Sequence, residues 1–369
     1  MLKMDIYHFL NIICKTGILL KKVMADNSWK IEFYKRTIGG IGMEDINEKI
    51  LKEGYGIKLL SGYKSRAGFI CHTDKGMKEL KRAGLNEKNI LFENDVKEHL
   101  YKKGFLHLNR FLPTIRQTPF FHFDGMNYVL ENYVETQSMD DTSDEAWIRY
   151  AQILANIHLC GIGLDSEYGK KNMGRIPNLY EKRKIELIKI KKRINRLSHY
   201  NSMDLIILKN FEYYMKKVQQ AEKILKVSQY QKCVWNAKNE MTVCHNAFKP
   251  ENIRISEDGM VIITGFGKCT YDCNVTDLAE YLRRYLKTEN CNSQTIQKIL
   301  QSYHEVRKIS KEEFNIIYGM LIYPYKFLKL CNEYYNKRRV CVSEAMIQRM
   351  EKCVFTNLQA EKILNQIKL

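Results

Sequence analysis

A chain of 369 residues with 60 Lys and Arg against 42 Asp and Glu carries a formal charge of +18; its 45% hydrophobic and 11% aromatic content excludes both a miniprotein and a disordered chain. The length fits two domains or one large bilobal fold. Its 11 cysteines include no Cys-x-x-Cys pair, and Cys269 and Cys273, the one close pair, have no second pair or histidine at ligand spacing, which predicts reduced intracellular thiols and no zinc. Lys and Arg are spread along the chain without a nucleic-acid motif, so no nucleic-acid partner is expected.

Residues 1–42 read as an N-terminal extension. An early lysine precedes an apolar stretch, but Asp5, His8 and Asn11 interrupt it and no small-residue cleavage site follows, so a signal peptide is not expected. No run reaches the ~18 uninterrupted apolar residues of a membrane span. Gly39-Gly40 ahead of Met43 is encodable as a purine-rich ribosome-binding site, which points to Met43 as the true start. Native peptides from before Met43 would refute that start.

Residues 43–135 read as a small mixed lobe. The apolar runs 56–60 and 68–73, and the Asp74-Lys75-Gly76 turn leading into Met77–Lys81, predict an antiparallel meander. Asn86 to Gly104 has the outline of a helix, with a cap, apolar residues at 90, 91, 92, 96 and 100, and a terminal glycine. A second hairpin is predicted from Phe120–Phe123 and Tyr128–Val134 about an Asp124-Gly125 turn. From 136 to 369 the pattern is mostly helical: 146–159, 181–196, 203–227 and 277 onward. Segment 181–196 is basic and amphipathic, with Leu187, Ile190 and Ile194 as an apolar stripe; it reads as a solvated face over a packed stripe or as a surface for an anionic partner.

The island 241–284 interrupts the helices with loop, hairpin and loop. His245 is followed seven residues later by Asn252; a strand at 253–256, a turn at Asp258-Gly259 and a strand at 260–264 end in Gly265-Phe266-Gly267. This arrangement resembles the active-site segment of the protein-kinase-like fold in its aminoglycoside- and choline-kinase-like branch, where His-x-Asp-x-x-x-x-Asn is followed by a hairpin and Ile-Asp-Phe-Asp. Asp277-Leu278-Ala279 and Leu154-Ala155-Asn156-Ile157-His158 match neighbouring helices of that pattern. Tyr55-Gly56-Ile57, His99–Phe105, Ile322–Leu330 and Glu333–Lys337 are similar to segments of the CotS-type spore coat proteins of endospore-forming bacteria, so the likeness runs from about Met43 to Leu369.

The resemblance implies an α+β, bilobal protein-kinase-like fold with a small β-rich N-lobe at 43–135 and a larger, mostly helical C-lobe at 136–369. It also shows where this chain departs. The catalytic-base position is Ala247, the metal-binding position is Gly265, and the motif's second Asp is Gly267. None has a side chain that accepts a proton or ligates a hard cation. Asn252 remains, alone and neutral. Glu251, Asp258 and Asp272 are the nearby carboxylates weighed as replacements; Glu251 faces away if Asn252 faces the site, and Asp258 sits in a turn.

Lys81 fits the strand lysine that meets nucleotide phosphates, with Glu93 or Glu98 as its ion-pair partner, although a surface lysine is the plain alternative. Gly62 and Gly68 are wrongly spaced for a phosphate loop. His245 and His158 are expected to brace the backbone, and Asp277 to cap its helix or to anchor the loop carrying His245. Three readings follow: a catalytically degenerate pseudokinase of the spore coat, an active small-molecule phosphotransferase with relocated carboxylates, and a structural module without nucleotide. The first expects no cofactor, or ATP without strong Mg²⁺ dependence. By resemblance its partners are other spore coat proteins, and it passes from the mother-cell cytoplasm to the coat.

Overall fold

A computed structural model describes residues 43–65, 68–138, 143–336 and 342–367. The extension and the start at Met43 proposed for it lie outside the described residues, except for Met43 itself. Helix α1, Met43–Lys49, runs into a π-helical segment, Ile50–Tyr55. A five-stranded antiparallel sheet follows in the order β1-β2-β3-β5-β4, from β1 (Leu59–Lys64), β2 (Phe69–Thr73), β3 (Gly76–Ala83), β4 (Phe121–Phe123) and β5 (Met126–Asn132). Helix α2, Glu87–Lys102, connects β3 to the second hairpin and is followed by Gly104 at φ +89°. That hairpin turns through Asp124 at φ 48° and Gly125 at φ 69°, the paired left-handed residues a two-residue loop requires. The first strand continues through Gly62, which pairs with Cys71, so this glycine belongs to the sheet.

Strand alternation gives the sheet two different faces. Leu80 and Leu130 point to one side and pack with Ile50, Leu51, Tyr55, Phe69 and Cys71. Glu79, Lys81, Val129 and Glu131 point to the other, and Val129 packs there with Ile90 of α2 and Phe111. The register sets Glu79 directly opposite Glu131, a like-charge pairing that needs cations beside it.

The C-lobe comprises α3 (Asp144–Cys160), α4 (Ile176–Ile194), α5 (Ser202–Val227), α6 (Tyr230–Asn239), α7 (Asn274–Tyr285), α8 (Ser293–Val306), α9 (Lys311–Ile322), α10 (Tyr325–Asn336) and α11 (Glu344–Leu364). The island supplies β7 (Val243–Cys244), β8 (Ile253–Ser256), β9 (Val261–Ile263) and β10 (Thr270–Tyr271). One strand breaks the expected helical run after Glu135: β6, Thr136–Ser138, pairs antiparallel with β8, and its partner lies too far along the chain for a local pattern to reveal. In α4 the stripe of Leu187, Ile190 and Ile194 is buried in the core. Two of its lysines meet acids of α5, Lys184 with Glu222 at 3.0 Å and Lys191 with Glu212 at 2.8 Å. Asn201 and Asp204 close a capping box at the start of α5.

Candidate functional site: the interlobe cleft and its loop

A cavity of about 460 Å³ lies between the lobes, lined by Lys81, Lys97 and Val129 from one side and by Ile263, Gly265 and Lys268 from the other. Its charged wall is built on Glu131. Lys81 Nζ is 2.6 Å from Glu131 Oε2 and 2.9 Å from Glu79 Oε2. Lys97 Nζ, on α2, is 2.6 Å from Glu131 Oε1, 3.2 Å from Glu93 Oε1 and 3.7 Å from the centroid of Phe111. Burial works against the Glu131 charge, yet the two lysines hold its carboxyl below the ordinary carboxylate range. Burial would lower Lys81, but Glu131 and Glu79 outweigh it and raise it.

This corrects the expected partner of Lys81. Glu93 is taken by Lys97 one turn along the same helix, and Glu98 points outward to a two-pronged contact with Arg110 at 2.7 Å. Sequence reading missed Lys97, Glu79 and Glu131. Their signal was one acid in each of β3 and β5, Glu79 and Glu131, on the strand face that also carries Val129, where a buried acid demands a buried cation.

The loop after β7 is held from below by Asp277, in the first turn of α7. Its Oδ2 accepts the His245 backbone N–H, its Oδ1 accepts that of Asn246 at 2.8 Å, and His158 Nε2 lies 3.3 Å from Oδ2. His158 Nδ1 is 2.6 Å from the Tyr303 hydroxyl. Asp277 therefore anchors the loop; the cap of α7 is Cys273, which makes no side-chain cap bond. Burial opposes the Asp277 charge, but His158, His245 and the Asn246 amide keep its carboxyl below the usual range. Burial lowers His158 and pushes His245 down to about 4, so both rings are neutral. Ala247 N–H donates to His245 Nδ1 at 3.2 Å, which places that ring's proton on Nε2. His158, Cys244 and Asp277 bring three ligand-type atoms within 4.8 Å of one another, yet these groups are already engaged, Cys244 Sγ with the Cys273 carbonyl at 3.3 Å.

The other end of the loop is Asn252, which meets Gly265 in the turn after β9. Asn252 Nδ2 donates to the Ala247 carbonyl at 2.8 Å. Gly265 stands at φ +88°, ψ 23°, and a Cβ there would lie 2.4 Å from Asn252 Nδ2, so the amide occupies the room a side chain at 265 would need. A Cβ on Gly267 would meet Glu93 Oε2 at 3.0 Å. The carboxylates considered as replacements lie elsewhere. Glu251 is 70% exposed and 4.0 Å from Lys249, and Asp258 accepts the Ser256 hydroxyl inside its turn. Asp272 accepts the Cys273 backbone N–H at 2.8 Å, and burial pushes it up to about 6. Among the described residues the acids lining the cavity are Glu93 and Glu131, both paired to lysine.

Residues 48–367 match the family described as "Spore coat putative kinase YutH". A comparison with curated proteins gave no match. Among solved structures, an aminoglycoside phosphotransferase from Alicyclobacillus acidocaldarius is similar with a TM-score of 0.72 at 15% identity, over 83% of this chain and 91% of that one. A spectinomycin phosphotransferase, in its AMP-bound complex, is similar with a TM-score of 0.59 at 13% identity, over 88% and 98%. An amicoumacin kinase is similar with a TM-score of 0.53 at 12% identity, over 92% and 98%. At such identities these structures establish a kinase-like bilobal fold.

Proposed function

Because the chain belongs to the spore coat family whose description is given above, we propose that it is a kinase-fold component of the spore coat that no longer transfers phosphate. The observation that carries this reading is the pairing of Ala247 with Gly265, whose side-chain space is filled by the Asn252 amide. Phosphoryl transfer is driven by positioning and by charge neutralisation around the phosphate, with carboxylate or amide oxygens holding Mg²⁺. Here the cations Lys81 and Lys97 are neutralised by acids of their own lobe, and the one carboxylate near Gly267 is paired to Lys97. Its role is then in coat assembly or structure, with other coat proteins as partners, after synthesis in the mother-cell cytoplasm.

Nucleotide, where bound, would enter the cleft without a strong need for Mg²⁺. A thermal-melt titration with ATP, with and without Mg²⁺, separates the readings, since a ligand of the folded state raises Tm by mass action. A metal-independent shift, lost in Lys81→Ala, together with no transfer of the γ-phosphate, supports the proposal. A shift that requires Mg²⁺, with turnover lost in Glu93→Gln, overturns it in favour of a working phosphotransferase. No shift at millimolar ATP leaves a structural module, favoured by the double pairing of Lys81.

A further inference from the structure

Away from the interlobe cleft, and sharing no lining residue with it, a cavity of about 300 Å³ opens between α6 and the chain entering α7. Two cysteines line it. Cys233, on α6, is half-buried, and Cys273, the residue before α7, is 1% exposed. The backbone brings them together. One turn beyond Cys233 on the same face of α6, the Ala237 carbonyl accepts the Thr242 N–H at 3.0 Å. Thr242 in turn joins Asp272: its carbonyl accepts the Asp272 N–H at 3.3 Å and its hydroxyl donates to the Asp272 carbonyl at 2.8 Å. That bridge sets the Cys233 face of α6 against residue 273, and the Cys273 thiol donates a hydrogen bond to Cys233 Sγ.

The rest of the surroundings leave this contact undisturbed. Cys273 stands at the N-cap of α7 without a side-chain cap bond, so its sulfur is not engaged with the helix. The hydrogen bond to Cys233 and burial both push its thiol up, which keeps it protonated in the reduced chain. Cys269, its neighbour in sequence, turns to the His245 carbonyl at 3.9 Å. The half-buried Cys160 and Cys291 donate to the Lys103 and Leu286 carbonyls, each at 3.7 Å. Cys233 and Cys273 thus combine a sulfur that can be reached from the cavity with a second one directly behind it, the placement of an attacking and a resolving thiol. An oxidant has to reach only Cys233.

We infer that Cys233 and Cys273 are a reversible redox pair, oxidised by a low-molecular-weight disulfide to one S–S bond that ties α6 to the start of α7. The Cys233 sulfur attacks one sulfur of the small disulfide; a mixed disulfide forms, and the first small thiol leaves with the Cys233 proton. The Cys273 sulfur then attacks Cys233 Sγ, the mixed bond breaks, and the second small thiol leaves with the Cys273 proton. The cysteines lose two electrons and the small disulfide gains them, becoming two thiols. The closed ring runs from 233 to 273, so it encloses the loop after His245, the β8–β9 hairpin and Gly265, and it ends one helical turn before Asp277.

Oxidised glutathione is the probe, applied to the folded full chain, with free thiols alkylated before a non-reducing digest is read by mass spectrometry. The expected product is a peptide pair joined through Cys233 and Cys273 and opened again by dithiothreitol. The joined chain should melt roughly 5 °C above the reduced one, because the ring restricts the unfolded state. Cys273→Ala should stop at a glutathione adduct on Cys233, and Cys233→Ser should leave Cys273 free to be alkylated once unfolded. Should Cys273→Ala fail to fold, the wild-type digest decides alone. A lasting glutathione adduct on wild-type Cys233 overturns the proposal, since the second sulfur then does not reach it. So do an unmodified Cys233, a Cys273 joined to a different cysteine, and a joined chain that melts no higher than the reduced one.

Discussion

Asp277 and Gly265 meet the two ends of one loop, and they are opposite in character. At Asp277 the whole polar framework is present: one carboxylate receives two consecutive backbone N–H groups and touches His158, which continues to Tyr303. At Gly265 there is no side chain, and the Asn252 amide stands where a Cβ would be. The contrast teaches that the shape of a catalytic loop and its chemistry are held by separate residues. Shape here depends on a buried anchor, Asp277, whose two carboxylate oxygens are both bonded to the loop, whereas the chemistry of such a loop depends on the side chains at its other positions. The glycines at 265 and 267 are closely packed: a side chain at 265 would collide with the Asn252 amide, and one at 267 would press on the Glu93 carboxylate.

The largest effect should come from breaking the anchor. Asp277→Ala leaves the amide of buried His245, buried His158 and the amide of the exposed Asn246 without their acceptor. The expected loss is about 3–5 kcal/mol, read from the urea midpoint, because removing one partner of a buried charged network strands the others. A loss below about 1 kcal/mol would mean that the loop has its shape from the surrounding core alone.

The anchor should also show in the pH dependence. His245 is held at about 4 in the folded chain, mainly by burial, against about 6.5 when unfolded, so the folded state disfavours its proton. Its contribution is fully present above pH 6.5 and is lost as pH falls from 6.5 through about 4. The gap corresponds to about 3 kcal/mol. His158, also lowered by burial, adds loss in the same direction. Asp277 and Glu131, both held low, contribute further loss at still lower pH. Asp272, raised to about 6 by burial, works in the opposite direction from about pH 6 downward, so the wild-type melting curves from pH 7.5 to 4.5 report a difference of opposed contributions, and in His245→Asn stability over that interval should fall less, or rise more, than in the wild type. An unchanged slope in His245→Asn would contradict a neutral buried ring at 245.

Much of the loop was legible beforehand and the charged wall was not, for a physical reason. His245, Asn252 and Asp277 sit at spacings imposed by one short loop and one helix turn, and the β3 and β5 hairpins announce themselves by period and by Asp-Gly turn chemistry. The partner of Lys81 depends on strand register across 50 residues, and a helix carrying Glu93, Lys97 and Glu98 offers several candidate pairs within one turn. Glu131 wins because β5 pairs with β3 and puts it opposite Glu79, a fact of the sheet and not of any local pattern. For the same reason β6 escaped: a three-residue strand is defined by its partner β8, over a hundred residues away. The stack of Tyr180 on Tyr323 is equally invisible along the chain.

The smallest effect, and the sharpest for the contrast, belongs to Gly265→Asp. Any residue with a Cβ must hold φ near +88° there, which costs about 1–2 kcal/mol, and must displace the Asn252 amide from the Ala247 carbonyl, about 1 kcal/mol more. Gly265→Ala should cost the same, because the Cβ alone makes the collision, so the pair of variants isolates whatever the carboxylate adds. With Ala247 opposite, a single carboxylate and a displaced amide make a poor site for a hard cation that prefers several oxygen ligands. The Tm of Gly265→Asp should therefore match that of Gly265→Ala both with and without 10 mM Mg²⁺ (a concentration of about the order used to saturate weak sites). Stabilisation of the Asp variant alone by Mg²⁺ would show that the loop offers the remaining oxygens in the right places, and would count against the proposed reading that this site has no use for a metal.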